Sequence, residues 1–237
     1  MGAILITRPE PGASDTARLL EGLGFKTVKA PFLVIERCPA RLPRRMQACL
    51  VTSANAVWAL PTELPVFAVG DATAAHARAA GAETVHSAAG DAIALADLVV
   101  RSCDPANGAL LLLSGEDQGR SLARGLRSKG FTVVRRVVYR ATAVAMFPPA
   151  AERAIAAGAV DSVLFFSAET ARAFAALLPA ALAPKLSAVR AVTLSETISL
   201  ALAHLRWRRL AHASAPTQEA LLKLLHDELD PIQPFRR

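Results

Sequence analysis

The chain repeats a segment of its own sequence, and this repeat most strongly limits how it can fold. Residues 4–32 align without a gap with residues 110–138. Each segment reads as a strand, a polar loop, an amphipathic helix, a glycine that ends the helix and a second strand. The identical pairs include Leu5/Leu111, Glu10/Glu116, Ala17/Ala123, Arg18/Arg124, Leu20/Leu126, Gly24/Gly130, Phe25/Phe131 and Val28/Val134.

A second set of matched segments supports the same duplication. Each contains a buried strand that runs into a helix, and a further helix closes each half, with Asp91 and Thr217 as its predicted N-caps. Short apolar strands that alternate with helices of about ten residues indicate parallel sheets with helices on both faces. The matched segments are 50–60 with 164–177 and 66–87 with 191–214, the latter with Thr73 opposite Thr197.

The order of the matched segments leaves two assemblies open. The two lobes either follow one another in tandem, or the middle stretch forms one lobe inserted into the other. The extended segments APFLVIERCP and RRVVYRATAVAMFPP can pair as a ladder, which favours insertion. We therefore predict an α/β protein of two similar lobes with parallel sheets flanked by helices, joined by a two-stranded linker, the middle lobe being inserted. The predicted ranges are 1–32 plus 145–237 for the first lobe, 40–138 for the inserted lobe, and 33–39 and 139–144 for the connecting strands.

The net charge of +7 suits an anionic partner, such as nucleic acid, an anionic membrane or a polyanionic small molecule. Aromatic residues make up only 5% of the chain, too few for the stacking platforms that bind single-stranded nucleic acid. The longest charge-free stretch, 46–62, is interrupted by polar residues and does not read as a membrane span. The N-terminus reads as a strand and not as a signal peptide. We expect a cytoplasmic protein that binds a small molecule, with neither nucleic acid nor membrane as its partner.

Cysteine and histidine usage gives no indication of a metal site. Cys38, Cys49 and Cys103 lack metal-type spacing and are expected to be reduced thiols. The five histidines show no HExxH or similar pairing. We therefore predict no bound metal.

Small hydroxyl residues and glycines follow the predicted strands in both lobes. Ligands of parallel α/β sheets bind beyond the carboxyl ends of the strands, where helix N-termini offer N–H groups to anions. No loop matches a GxGxxG or P-loop pattern, so the sequence does not support nucleotide binding. Each hydroxyl residue taken singly is typical of a helix cap. Matched sets of them in both lobes instead suggest that one large anionic ligand binds in a cleft between the lobes. The loops are 7–9, 52–55, 70–73, 114–116, 167–169 and 194–197.

Tyr139 lies in the second connecting segment and is the one tyrosine of the chain. Its hydroxyl can donate a proton, which makes it a candidate acid. From the residue alone, an interface tyrosine with a hydrogen-bonded hydroxyl is the favoured interpretation.

Several motifs, taken in order, resemble the uroporphyrinogen-III synthase family. They are TRP at Thr7, VTSANAV at Val51, VGDATA at Val69, LLLLSGEDQGRSLARGLRSKGF before VVYRA at Tyr139, FFSAETARAF at Phe165 and ASAPTQEALL at Ala213. The resemblance covers nearly the whole chain. It implies two lobes joined by a two-stranded ladder, and cyclisation of linear hydroxymethylbilane with inversion of ring D and loss of water. It also implies a monomer, no metal or organic cofactor, and a substrate with eight carboxylates.

The same resemblance implies roles for individual residues. Tyr139 matches the family tyrosine thought to assist departure of the substrate hydroxyl. Arg8 and Arg120 are expected to pair with substrate carboxylates. The remaining substrate-binding positions, which act largely through main-chain N–H groups, are Ser53, Gly70, Asp71, Ala72, Thr73, Ser167, Ala168, Ser195 and Thr197.

One loop departs from the family pattern. It reads TLSET, with Leu194 and Ser195 where the family usually has glycine, so we expect its N–H groups to approach a carboxylate differently. Two other functions remain as alternatives. One is a non-catalytic two-lobed binding protein for a polycarboxylate or phosphorylated ligand, and the other is a nucleic-acid module that rests on charge alone.

Overall fold

The chain forms two compact units in a computed structural model. The structure describes residues 2–215 and 217–226. The first unit combines the residues up to Val34 with those from Ala143 onward, and the second contains Ile35–Thr142. Residues 227–237 of the predicted first lobe lie outside the described residues.

Strands and helices alternate along most of the chain, as the repeated sequence pattern predicts. The strands are β1 Ala3–Ile6, β2 Thr27–Lys29, β3 Leu33–Arg37, β4 Met46–Val51, β5 Val66–Ala68, β6 Val85–Ser87, β7 Ala109–Gly115, β8 Val133–Ala143, β9 Val160–Phe165, β10 Arg190–Thr193 and β11 Arg209–His212. The α-helices are α1 Gly12–Gly22, α2 Asp71–Ala79, α3 Ala92–Ser102, α4 Arg120–Ser128, α5 Pro149–Ala156, α6 Ala168–Leu177, α7 Glu196–Leu200 and α8 Gln218–His226. Short 3₁₀ helices span Ala54–Ala59, Pro105–Asn107 and Ala183–Ala188.

The sheet of the first unit has the strand order β11-β10-β9-β1-β2, and neighbouring strands in it run parallel. Its central strands are short and apolar because helices cover them. Ile4, Ile6 and Leu164 pack against Leu20 of α1 and Leu221 of α8 in one buried cluster. The predicted α/β class with parallel sheets flanked by helices is confirmed.

The sheet of the second unit has the order β3-β8-β7-β4-β5-β6. The leucine run of β7 serves both faces of this sheet. Leu110 and Leu112 belong to one buried cluster and Leu111 and Leu113 to another, as the alternation of side chains along a strand requires. A central parallel strand that is covered on both faces therefore reads as a continuous apolar run.

Strand β3 lies beside β8 at the edge of the second sheet. The Cys38 N–H donates to the Val138 carbonyl at 2.8 Å, and the Val144 N–H donates to the Phe32 carbonyl at 3.1 Å. Residue numbers rise along one strand as they fall along the other, so β3 and β8 run antiparallel. Residues 139–144, expected as a separate connecting strand, are largely the second half of β8, which begins at Val133.

The duplicated segments end their helices with the same hydrogen bonds. Gly24 and Gly130 have φ angles of 86° and 92°, a region that favours glycine. The N–H of Gly24 donates to the Glu21 carbonyl, and that of Gly130 to the Arg127 carbonyl, both at 3.0 Å. The predicted glycine stops are confirmed. So are the N-caps Asp91 and Thr217, whose side-chain oxygens accept N–H bonds from the first turns of α3 and α8.

One detail of the matched segments differs from the prediction. The helix after β4 is a short 3₁₀ helix, Ala54–Ala59, and not a longer α-helix. Pro61 follows closely, and the residue before a proline is driven out of the helical region, as Leu60 is, with φ −64° and ψ 130°. The three cysteines are not joined in disulfide bonds.

A network of charges fixes the amino-terminal end of β9 in the first unit. The Asp161 carboxylate accepts from the Arg190 guanidinium at 2.6 Å, the Arg208 guanidinium at 2.9 Å and the Ser162 hydroxyl at 2.8 Å. The side chain of Arg190 is only 9% exposed. Burial raises the pKa of Asp161, but the hydrogen bonds from Ser162, Arg208 and Arg190 outweigh it and hold the pKa below its ordinary 3.8.

We expect Asp161→Asn to lower the free energy of unfolding by about 2 kcal/mol, because it removes the carboxylate that neutralises the buried Arg190 guanidinium. The partial exposure of Asp161 keeps the loss below that of a fully buried pair. A carboxylate whose pKa is lowered in the folded protein stabilises the fold at any pH above its ordinary pKa. Its contribution is lost as the pH falls through the lowered one. Urea denaturation should therefore show the full difference in free energy of unfolding between wild type and variant at pH 7, and a smaller difference below about pH 4.

The matched control is Asp97→Asn. The Asp97 side chain is half exposed, and its Oδ1 lies 3.7 Å from Nζ of Lys129, which is similarly exposed. This change should cost less than about 0.5 kcal/mol at any pH, because exposed pairs contribute little. Equal losses for the two variants would contradict the role of Asp161.

Candidate active site

The carboxyl ends of β1, β9 and β10 bring three of the predicted loops to one edge of the first sheet. These strands are neighbours and parallel, so the residues that follow them lie side by side. Arg8 follows β1, Ser167 follows β9 and Ser195 follows β10. The helices α6 and α7 begin at this edge, so their first N–H groups, which lack intrahelical acceptors, lie there too.

Arg8 is a partly buried cation without a carboxylate partner within 4 Å among the described residues. Its guanidinium lies 4.3 Å from the ring centre of Phe166 and donates to the Gln218 side-chain oxygen at 3.3 Å. A Cβ at Gly12 would lie 2.5 Å from Arg8 Nε, so the guanidinium occupies space that glycine leaves open. Burial lowers the pKa of Arg8, and Asp15 partly offsets this. The arrangement is suited to binding an anion.

Ser167 is a helix cap. Its Oγ accepts from the Thr170 N–H at 3.2 Å and lies 2.9 Å from the Thr170 hydroxyl. Its hydroxyl is therefore used within α6, and the groups available beyond it are the first N–H groups of the helix, that of Ala168 among them.

The loop that departs from the family pattern keeps the same backbone. Ser195, the N-cap of α7, has φ −159° and ψ 163°, and Gly70, the N-cap of α2, has φ −155° and ψ 172°. Both are extended conformations that any residue adopts. The backbone of this helix start therefore does not require glycine, and the expected effect of Leu194 and Ser195 on the approach of a carboxylate stays a prediction.

The carboxyl ends of β4 and β5 bring Ser53 and Gly70–Thr73 to one edge of the second sheet. Ser53 caps the 3₁₀ helix, its Oγ accepting from the Asn55 N–H at 3.2 Å. Gly70 offers no side-chain cap, and Asp71 and Ala72 are exposed at the start of α2.

Thr73 and Thr197 are not equivalent positions. Counted from the N-caps Gly70 and Ser195, Thr73 is the third helical residue and Thr197 the second. Thr73 is 7% exposed and matches the buried Ile198, whereas Thr197 is exposed and matches Ala72. The predicted pairing of the two threonines is off by one residue, because it followed side-chain identity and not position.

Tyr139 lies at the carboxyl end of β7, in the second unit. A bulge makes this possible, since β7 and β8 pair Ser114 with Val137 but Gly115 with Tyr139. The ring is 2% exposed, and its hydroxyl donates to the Gln118 side-chain oxygen at 2.7 Å. The interpretation of Tyr139 as a tyrosine with a hydrogen-bonded hydroxyl describes these contacts, and they also fix the phenol at the carboxyl edge of the sheet.

The turn between β7 and α4 leads to the predicted site residue Arg120 and is held by Arg135, to which the sequence assigned no role. Arg120 is exposed at the first position of α4. Arg135 donates to the main-chain carbonyls of Gly115 and Gln118, both at 2.8 Å, and to that of Glu116. The sequence contains no indication of this role of Arg135, because main-chain acceptors leave no signal in the sequence.

A cavity of about 340 Å³ lies elsewhere, at the amino edge of the first sheet. It is lined by Asp161, Lys185 and Arg208, and no predicted site residue borders it. Ligands of parallel sheets bind at the opposite edge, so we do not assign the substrate to this cavity.

Within residues 2–215 and 217–226, no helix is long and apolar enough to cross a membrane. In the same part of the chain, no cluster of three or more His, Cys, Asp or Glu side chains is arranged to hold a metal ion.

A family model described as uroporphyrinogen-III synthase HemD matches residues 14–223. The chain belongs to the uroporphyrinogen-III synthase family. The match includes every predicted site residue except Arg8, which lies before it. It is a family of enzymes of tetrapyrrole synthesis.

Solved structures with similar folds carry the name of the same family. Uroporphyrinogen-III synthetase from Helicobacter pylori has a TM-score of 0.61 and 18% identity, over 96% of this chain and 100% of that one. A mutant uroporphyrinogen III synthase from the extremely thermophilic bacterium Thermus thermophilus has a TM-score of 0.48 and 19% identity, over 96% and 98%. The Thermus thermophilus enzyme in another structure has a TM-score of 0.43 and 20% identity, over 96% and 100%. A search of curated proteins found no match.

In this family member, Gly115 sets the position of the tyrosine ring. A Cβ at Gly115 would lie 2.8 Å from Cε2 and Cζ of Tyr139. We expect Gly115→Ala to lower the free energy of unfolding by about 1–3 kcal/mol through overpacking, as measured by urea denaturation.

The matched control is Gly125→Ala within α4, where an added Cβ would meet nothing within 4 Å. This change should raise stability by about 0.5–1 kcal/mol, because alanine is the better helix former. A stable Gly115→Ala variant would show that the ring does not depend on the close approach.

Proposed function

We propose that the protein is a hydro-lyase that cyclises linear hydroxymethylbilane to uroporphyrinogen III, with inversion of ring D and loss of water. The observation that carries this is the family match over most of the chain. The net charge of +7 and the anion-suited carboxyl edges of both sheets support a substrate with eight carboxylates. We place the reaction in the cytoplasm and assign it to a monomer, without a metal or organic cofactor.

Substrate binding is proposed to depend mainly on backbone groups. The starts of α2, α6 and α7 present N–H groups without intrahelical acceptors. Such groups bind carboxylates without requiring a particular side chain. Arg8 and Arg120 would add a charge on each unit, Arg8 from its site beside Phe166 and Arg120 from the exposed start of α4.

Tyr139 is proposed as the acid that assists loss of the substrate hydroxyl. The C–O bond of the hydroxymethyl group breaks, and the phenol proton joins the departing oxygen to form water. The azafulvene cation that remains is attacked by the substituted carbon of ring D, and the bond from that carbon to its methylene bridge on ring C then breaks. The freed methylene bonds the unsubstituted carbon of ring D, and the proton that this carbon loses returns to the tyrosinate. Holding the flexible chain in the orientation for this attack is the larger part of catalysis.

The test of the function is an isomer assay. The purified protein is incubated with hydroxymethylbilane, and the products are oxidised and separated by chromatography. We expect type III porphyrin in excess of the type I product that forms by spontaneous closure. Type I alone, as in a protein-free control, would rule out the synthase. A thermal shift by the tetrapyrrole without its consumption would indicate a binding protein instead.

The role of Tyr139 is tested separately. We expect Tyr139→Phe to lower kcat about a hundredfold, as loss of a general acid does. The variant loses one hydrogen bond, so its free energy of unfolding should fall by only about 1 kcal/mol. Initial rates and thermal unfolding are measured on the same preparations. A variant with the full wild-type rate would show that Tyr139 is not the acid.

A further inference from the structure

Strand β8 holds the turn Gly115–Gly119 through three of its side chains. Arg135 donates to main-chain carbonyls of the turn, and Arg140 forms a two-bond ion pair with the Glu116 carboxylate at 2.6 and 3.0 Å. Tyr139 donates to the Gln118 side chain. The turn is thus attached to the strand that carries the proposed acid.

Arg135 and Tyr139 reach this turn from opposite faces of the sheet. Arg135 lies two residues after Val133, which belongs to one buried cluster, whereas Tyr139 belongs to the cluster on the other face. Burial lowers the pKa of Arg135, with the Arg120 charge adding to the effect. No carboxylate lies within 4 Å of its guanidinium among the described residues, so the carbonyl dipoles carry its stabilisation. This contact fixes the backbone of Gln118.

Gln118 is exposed, yet its side chain bonds the buried hydroxyl of Tyr139. The phenol ring is fixed by its packing against Gly115, so the rotation of the O–H bond is what a partner can still control. A side-chain amide has both an acceptor oxygen and N–H donors. It can accept from the phenol at rest and, after the amide turns, donate to the phenol oxygen while the proton is transferred.

We propose that Gln118 is a positioning residue for Tyr139, an inference that rests on the proposed function. At rest its oxygen accepts the O–H bond. The amide then turns so that its N–H donates to the phenol oxygen, which leaves the O–H bond directed at the substrate hydroxyl before the C–O bond breaks. When the proton passes to the departing hydroxyl to form water, the Gln118 N–H stabilises the tyrosinate oxygen. The proton released on ring closure then restores the phenol, and Gln118 returns to accepting.

The experiment is a double-mutant cycle with Gln118→Leu, Tyr139→Phe and the double variant. We expect Gln118→Leu to lower kcat about tenfold, the effect of one hydrogen bond to a charged group, with KM within about twofold of wild type. Because Gln118 acts through Tyr139, adding Gln118→Leu to Tyr139→Phe should cause no further loss. A purely structural role would give losses that multiply.

The matched control is Gln47→Leu. Gln47 lies at the amino edge of the same sheet and donates to the main-chain carbonyls of Asp104 and Gly108. It should keep the wild-type kcat. Thermal unfolding of each variant checks that it is folded.

The outcomes separate the inference from the proposed function. A wild type that forms no type III product would overturn both. An active wild type would overturn the inference alone if Gln118→Leu kept full kcat, raised KM without lowering kcat, or multiplied the loss of Tyr139→Phe.

Discussion

Parallel strand pairing decides where the chemistry of each unit lies. A parallel strand must return through a crossover, and in this chain a helix supplies most of the crossovers. Each strand therefore ends at the same edge as its neighbours, and the helix that follows begins there. The loops after β1, β9 and β10 share one edge in the first unit, and those after β4, β5 and β7 share one in the second. Backbone N–H groups accumulate at these edges without any dedicated side chain.

The turn after β7 shows how a fixed site is made from an irregular segment. Main-chain carbonyls that leave a strand need donors, and water would leave them mobile. Arg135 supplies several donors from one planar group, so a single side chain holds several peptide units in place. The bulge after Ser114 turns Tyr139 toward the same segment. Together, the Arg135 contacts and the bulge place the Tyr139 hydroxyl within hydrogen-bonding distance of the Gln118 side chain.

The sequence predicted the features that depend on local rules. The glycines at Gly24 and Gly130 and the N-cap at Asp91 are recognisable because each answers a backbone requirement within a few residues. The contact of Gln118 with Tyr139 could not be found this way. It depends on a one-residue bulge between two strands that are 17 residues apart in the chain, and on carbonyl groups that every residue has. The misplaced equivalence of Thr73 and Thr197 has a related cause, since identity was easier to see than helical position.

The matching backbones of Gly70 and Ser195 bear on how such a protein can drift in sequence. A helix start defined by extended dihedral angles specifies a shape and leaves the residue itself largely open. Mutation can then exchange glycine for serine at such a position without moving the peptide groups around it. Two halves descended from one ancestral segment can thus lose most of their shared letters while the geometry of their helix starts stays unchanged.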